Sequence, residues 1–440
     1  MKTLTLAFAG FMAAAAGGAP FIPEPTFTVT QERNEACLVT VRYDLQNEPA
    51  FVTVDFLTNG VSIGESNFTS VQGDVNRMVQ PGEGLAIVWP AHVDWPDRKI
   101  KNGAFSVRLK AWATNDPPEY VVFSFGEGLL KSGGYKPATD LTVNYYTSTN
   151  AFPDGGLAND DYRRYKLVMK RIHTAGKSYR MGSNELEINR NAARERLHRV
   201  CFSRDYYMSI YPMTRAQFVR LQKSHPASWY SCGDGTVSTL AAYYQSFDSF
   251  ISNSESGGGH EAINCLTEMR TNLGGAKVDL PTEALWEYVA EGGKEGTFDT
   301  GVTCMDSPSA SGQFVGWDWA WSNGSRAVNK NGYQPVGLLR PNPLGIYDMF
   351  GGYREMCRDW FVEDPGAVCG EVDPSGPTVA PTEFPSGYTG TKAPRVTRGV
   401  SKDANSYAEQ GRASGRGFAD PTKNQNLQWH LVAPLCLYKW

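Results

Sequence analysis

The sequence predicts two folded parts: an all-β sandwich, then a larger loop-rich α+β domain. Three observations predict this. Apolar residues alternate with period two from about Phe27 to Phe125, helical spacing begins only after Arg164, and the stretch between carries Gly, Pro, Asn, Thr and Asp without periodicity. At about 150 residues per domain, a chain of 440 residues has room for two or three such parts.

The elements follow in chain order. Lys2 precedes an uncharged stretch from Thr3 to Ala16, and the small residues of Ala13 to Ala19 offer a cleavage site, so residues 1–19 read as an export signal and the mature chain as starting near Pro20. No stretch approaches the ~20 apolar residues of a spanning helix, so no transmembrane segment is expected. The expected location is outside the cell, or in the cell envelope or periplasm. Residues 20–125 then read as the sandwich. Val39, Val41, Tyr43 and Leu45 point one way and Thr40, Arg42 and Asp44 the other, and Val52, Val54 and Phe56 repeat the pattern. Asn59-Gly60 supplies a turn, and strand-like runs recur at Leu85 to Trp89, Ala104 to Trp112 and Tyr120 to Phe125. That spacing suits a sandwich of the immunoglobulin or fibronectin type. The region contains only Cys37, so no disulfide between its sheets is possible.

Residues 126–161 read as a linker or domain entry, and residues 162–440 as the second domain. Here Thr214 and Gln217 form a capping box ahead of a helix that His225-Pro226 stops. Ala262 to Leu273 places Ile263, Leu266, Met269 and Leu273 at helical spacing, and Pro281-Thr282 opens a third helix ending at Gly292-Gly293.

Several strings in this second part, taken in order, resemble the formylglycine-generating enzyme, or sulfatase-modifying factor, family. They are Met181-Gly182-Ser183, then Tyr206-Tyr207-Met208 leading to Met213 through Phe218, then Leu280 through Tyr288. Asn342 through Met349 follows with Gly351, Glu355, Cys357, Asp359 and Trp360, and Arg395 through Ser401 completes the set. The resemblance implies a variant of the C-type lectin-like fold.

It also implies a departure. Enzymes of the family oxidise through two C-terminal cysteines that bind copper(I), a task for soft thiolates held close together. Placed against the family pattern, Ala408 stands where one belongs and the other falls at or near Asp403, and no cysteine lies between Cys369 and Cys436. No copper and no formylglycine-generating activity are therefore expected. The usual Gly-Asn-Val-Trp-Glu-Trp reads Gly351 through Met356, the usual Gly-Gly-Ser-Trp reads Gly399 through Lys402, and the terminal Gly-Phe-Arg resembles Gln428-Trp429-His430. Leu285 replaces the capping-box Glu of the third helix, which weakens that helix start.

The resemblance places calcium ligands at Asp348, Gly351, Tyr353 and Glu355. Two carboxylates around a Gly351-Gly352 turn give the hard oxygen set calcium takes, and the plainer reading is that they only hydrogen-bond the turn. Arg354, Ser401, Lys402, Asp403, Tyr407 and Arg412 would surround the family's active-site surface. They mix donors, acceptors and an aromatic ring, as suits a glycan or a protein loop, against the alternative of an ordinary solvated loop region. Trp317, Trp319 and Trp321 alternate as a strand does and read as core ahead of a glycan platform. The six histidines lack metal-ligand spacing. Seven cysteines in the second part leave at least one outside any pairing within it; Cys357 and Cys369 are close enough to close a short loop, with connectivity open.

With Lys+Arg 42 against Asp+Glu 46, the net charge of −4 argues against a basic nucleic-acid surface. The sequence therefore reads as an exported, non-catalytic protein that binds a glycan or protein ligand. The rival reading is a metal-dependent oxidoreductase of the same family with altered chemistry.

Overall fold

The computed structural model describes residues 2–6, 18–31, 37–96, 103–125, 141–187, 190–221, 265–293, 320–321, 335–351, 354–368, 371–399, 412–421 and 427–437. The chain divides into two compact units, one of residues 1–124 and 142–162, the other of residues 125–141 and 163–440. Both are built mostly from strands in several sheets.

In the first unit, one sheet has the order Lys2–Leu6, Thr26–Gln31, Cys37–Leu45, Gly82–Pro90, Gln72–Gly73. The expected alternation holds in Cys37–Leu45, whose residues Val39, Val41, Tyr43 and Leu45 are buried while Leu38 and Arg42 are exposed. A second sheet centres on Ala50–Thr58, which pairs with Phe105–Ala113 from Ala50↔Ala113 to Thr58↔Phe105. Asn59 and Gly60 both take positive φ, 53° and 77°, so this turn has the twist a two-residue hairpin needs. Ala50–Thr58 also pairs with Val61–Ser62, which follows directly, and with Arg77–Val79. The inward residues of both sheets form one core in which the Phe56 ring stacks on Trp89, centroids 4.6 Å apart.

Two expectations change here. Ala50–Thr58 is buried on both faces rather than one: Phe51 lies against Tyr145 with centroids 3.9 Å apart, and Thr53 Oγ1 accepts a hydrogen bond from Trp112 Nε1 at 2.9 Å. The stretch expected as a linker is partly folded, because Thr142–Tyr146 pairs antiparallel with Tyr120–Ser124 and residues 142–162 belong to the first unit. Its Asn-, Thr- and Tyr-rich strand is short, and its polar residues hid the pattern. Lys2–Leu6, inside the expected export signal, pairs with Phe27–Gln31 at the edge of the first sheet.

In the second unit, Tyr206–Ser209 pairs with Lys166–Ile172 on one side and Val432–Pro434 on the other. The capping box forms as read. Thr214 N–H donates to Gln217 Oε1 at 2.9 Å, and Gln217 N–H donates to Thr214 Oγ1 at 3.2 Å ahead of the helix Arg215–Leu221. The second helix runs Cys265–Asn272 and the third Glu283–Ala290. A four-stranded sheet, ordered Arg416–Ala419, Arg395–Arg398, Arg354–Trp360, Leu427–Gln428, carries the residues of interest. Cys357, weighed as a loop-closing partner of Cys369, is a buried free thiol within the third of these strands. Its side chain is held in the sheet interior. His225-Pro226, Trp317, Trp319 and Cys369 lie outside the described residues.

Candidate functional site

The helix Glu283–Ala290 is apolar enough to be buried on every residue, yet it brings Glu283 and Glu287 inside with it. These stand four apart and therefore share a face. Buried carboxylates require partners. The neighbouring sheet supplies them from Arg398 and Arg416, which face each other on two paired strands. Arg398, with no side-chain exposure, places Nε 2.9 Å from Glu283 Oε1 and donates from Nη2 to Glu287. Its Nη1 donates to the carbonyls of Ala413 and Gly415 at 2.7 and 3.1 Å. Arg416 donates to both oxygens of Glu283, at 2.6 and 2.9 Å, and to the carbonyls of Arg194 and Val362. Gly182 N–H donates to Glu287 at 2.6 Å.

Burial by itself would raise the Glu283 carboxyl, but Arg416 and Arg398 outweigh it and hold that group below its ordinary range. At Glu287 burial wins over the single Arg398 partner, and its carboxyl is raised. The helix start has a second acceptor that its own sequence does not provide. Thr282 Oγ1 accepts from Leu285 N–H at 3.3 Å, and Asp359 Oδ2, from the Arg354–Trp360 strand, accepts from Glu283 N–H at 2.9 Å. The weak cap expected from Leu285 is thus offset by a residue far along the chain.

Next to this cluster, Glu355 is 1% exposed and accepts from Trp286 Nε1 at 2.8 Å, His430 Nδ1 at 2.9 Å and Gln428 Nε2 at 3.3 Å. His430 Nε2 faces the Tyr347 carbonyl at 3.2 Å. Asp348, at φ 57°, accepts from Gly337 N–H at 2.6 Å. Of the expected calcium ligands, Glu355 has most of its roughly four lone-pair sites filled by protein donors. Hydrogen bonding accounts for Glu355 as placed. Gly351 ends the short strand Phe350–Gly351, and Tyr353 lies outside the described residues. Among the described residues no group of three or more His, Cys, Asp or Glu is arranged to hold a metal ion.

The expected ligand surface is only partly described. Ser401, Lys402, Asp403 and Tyr407 lie outside the described residues. Arg354 is half-buried at the start of its strand, and burial lowers its guanidinium from the ordinary value. Arg412 does not sit as a surface residue. Its side chain is 3% exposed, and its guanidinium donates to Glu195 at 2.8 and 2.9 Å and also to Glu187. As placed, it holds the fold and is turned away from any external ligand. A surface reading follows naturally from an arginine in a polar loop sequence; the two distant glutamates that bury it give no local signal.

A model of the sulfatase-modifying factor enzyme 1-like domain matches residues 162–428. The chain belongs to this family. A protein of Paenibacillus barcinonensis named chaperone protein LppX is 26% identical to it over 182 residues, 36% of this chain and 62% of that protein. A formylglycine-generating enzyme of Streptomyces coelicolor is 33% identical over 146 residues, 32% of this chain and 42% of its own length. The chain thus matches less than two thirds of the length of either relative. Among solved structures, PvdO from Pseudomonas aeruginosa is similar with a TM-score of 0.43 at 16% identity, covering 61% of this chain and 94% of that one. Treponema denticola variable protein 1 is similar with a TM-score of 0.43 at 18% identity, covering 61% and 95%.

The sequence between Cys369 and Cys436 holds no thiol, and soft-metal binding needs thiolates brought together. Ala408 and Asp403 lie outside the described residues, so their place in the sequence is what speaks to that site.

Proposed function

We propose that the chain is an exported, non-catalytic binding protein that uses its sulfatase-modifying-factor domain, of the C-type lectin-like kind, to bind a glycan or a protein ligand. The observation that carries this reading is the absence of any cysteine from 370 to 435, where the family's oxidising pair would fall. A family relative named as a chaperone supports a role in binding. The two facing sheets of the first unit support its reading as an immunoglobulin- or fibronectin-like sandwich, here a spacer or presenting module. Export rests on the leader-like residues 1–19. No helix among the described residues is long and apolar enough to cross a membrane.

The ligand surface is proposed to comprise Arg354 with Ser401, Lys402, Asp403 and Tyr407. Glycan-array binding by the purified mature protein is expected to fall at least about tenfold in the Arg354→Ala, Lys402→Ala double variant, as loss of two charge-assisted contacts implies. Metal analysis of the same preparation is expected to find no stoichiometric copper or iron. Bound copper or iron, with oxidation of a cysteine-containing peptide, would instead establish the oxidoreductase.

A structural calcium ion on Asp348, Gly351, Tyr353 and Glu355 is proposed separately. Millimolar calcium should then raise the melting temperature by mass action. An unchanged melting temperature would leave the hydrogen bonds of Asp348 and Glu355 as the whole account of those residues.

A further inference from the structure

We propose that Asp359 is the proton-carrying member of the buried charge cluster and that its ionisation controls how firmly the Glu283–Ala290 helix is held against its sheet. The argument begins with charge. Two guanidiniums, Arg398 and Arg416, meet three carboxylates, Glu283, Glu287 and Asp359, and all five side chains are buried. Fully ionised, the set carries one negative charge more than positive. An uncompensated ion in a protein interior is strongly disfavoured, so the set gains by binding one proton.

Geometry selects the carrier. Glu283 touches both arginines, and Glu287 touches Arg398 and the Gly182 N–H. Asp359 receives the Glu283 N–H at 2.9 Å, a neutral donor that a protonated carboxyl satisfies as well through its carbonyl oxygen. The groups around it leave its charge unbalanced. Glu283 and Glu287 come from the helix, Arg398 from the adjoining strand, Arg416 from the strand beyond it, and Cys357 from its own strand, with its thiol kept neutral by burial. His198 bears on Glu283 from a further strand. Gly376 brings no charge and closes the remaining side: a Cβ there would lie 2.8 Å from Asp359 Cβ. Burial, and after it the Glu283 charge, push the Asp359 carboxyl up to about 7.

The sign follows from linkage. The folded value stands above the ordinary 3.8, so the folded state keeps the proton where the unfolded chain has released it. Stability from this group is complete below about 4, falls as pH rises, and levels off above about 7. It should therefore weaken the helix docking between mildly acidic and mildly alkaline solution.

Full-length protein and its Asp359→Asn variant test this, since Asn keeps an oxygen acceptor for Glu283 N–H and cannot ionise. The readout is amide hydrogen exchange across 283–290, corrected for intrinsic rates, between pH 5 and 8. The opening equilibrium of the wild-type helix should rise on the order of a hundredfold over that range, and that of the variant much less. Equal pH slopes in the two proteins would overturn the proposal. Should the variant not fold, the carbon-13 titration of the Asp359 carboxyl in the wild type decides: a midpoint near 7 supports it, and one near the ordinary 3.8 overturns it.

Discussion

Replacing Arg398 by methionine should destabilise the sulfatase-modifying-factor domain by about 3–5 kcal/mol, the usual cost of removing one partner from a buried ion pair. Arg398 has no exposed side chain and bridges Glu283 and Glu287 while donating to two carbonyls. Methionine preserves much of the volume, so the loss reports the stranded charges rather than a cavity. Glu283 retains Arg416, but Glu287 retains only the Gly182 N–H and becomes an almost unpaired buried carboxylate. Urea unfolding of the full chain, followed at the helix amides, measures the effect. Arg196→Ala is the contrast: its pair with Asp364 is 68% and 30% exposed, and such pairs contribute about 0–1 kcal/mol. Similar losses in both variants would show that the buried cluster has no special role in holding the domain.

Phe56→Ala should cost the first unit about 3–5 kcal/mol, as large aromatic truncations in closed cores do. The ring is fully buried, stacks on Trp89 and Phe105 at 4.6 and 5.7 Å, and meets the edge of Phe68 at 5.2 Å. It comes from one sheet and Trp89 from the other, so its removal takes away a stacked contact between the two layers. Hydrogen exchange at the Cys37–Leu45 and Gly82–Pro90 amides should report the loss. Protection unchanged within about tenfold, or about 1.4 kcal/mol, would mean that the layers are held elsewhere.

Much of the fold was legible because periodicity is a local signal. Val39, Val41, Tyr43 and Leu45 announce their face through spacing alone, and Thr214 with Gln217 announces a cap through a three-residue interval. The family strings did the same for the second unit. What stayed hidden depends on residues far apart. Phe51 looks outward by alternation and is buried only because Tyr145 lies across it. Arg412 looks like a surface donor and is buried only because Glu187 and Glu195 meet it. Glu283, Glu287, Arg398 and Arg416 offered one clue, charged residues set in otherwise apolar segments, but charge type does not say which partner closes the pair. The candidate ligand surface was read from Arg354 and from residues beyond Gly399, and there the sequence remains the fuller guide.

The support of the third helix bears on how the second unit comes to fold. Eight residues are too few for a helix to persist alone in water. The groups that hold it are remote: the acceptor for the Glu283 N–H lies 76 residues away, the guanidinium beside Glu287 lies 111 away, and the one across Glu283 lies 133 away. None of these contacts forms until long loops have closed, and closure entropy must be met before any of them contributes. The helix is therefore a late arrival in folding, completed only after the chain near its C-terminus has been made and brought back, and until then its apolar residues stay open to water and to other chains.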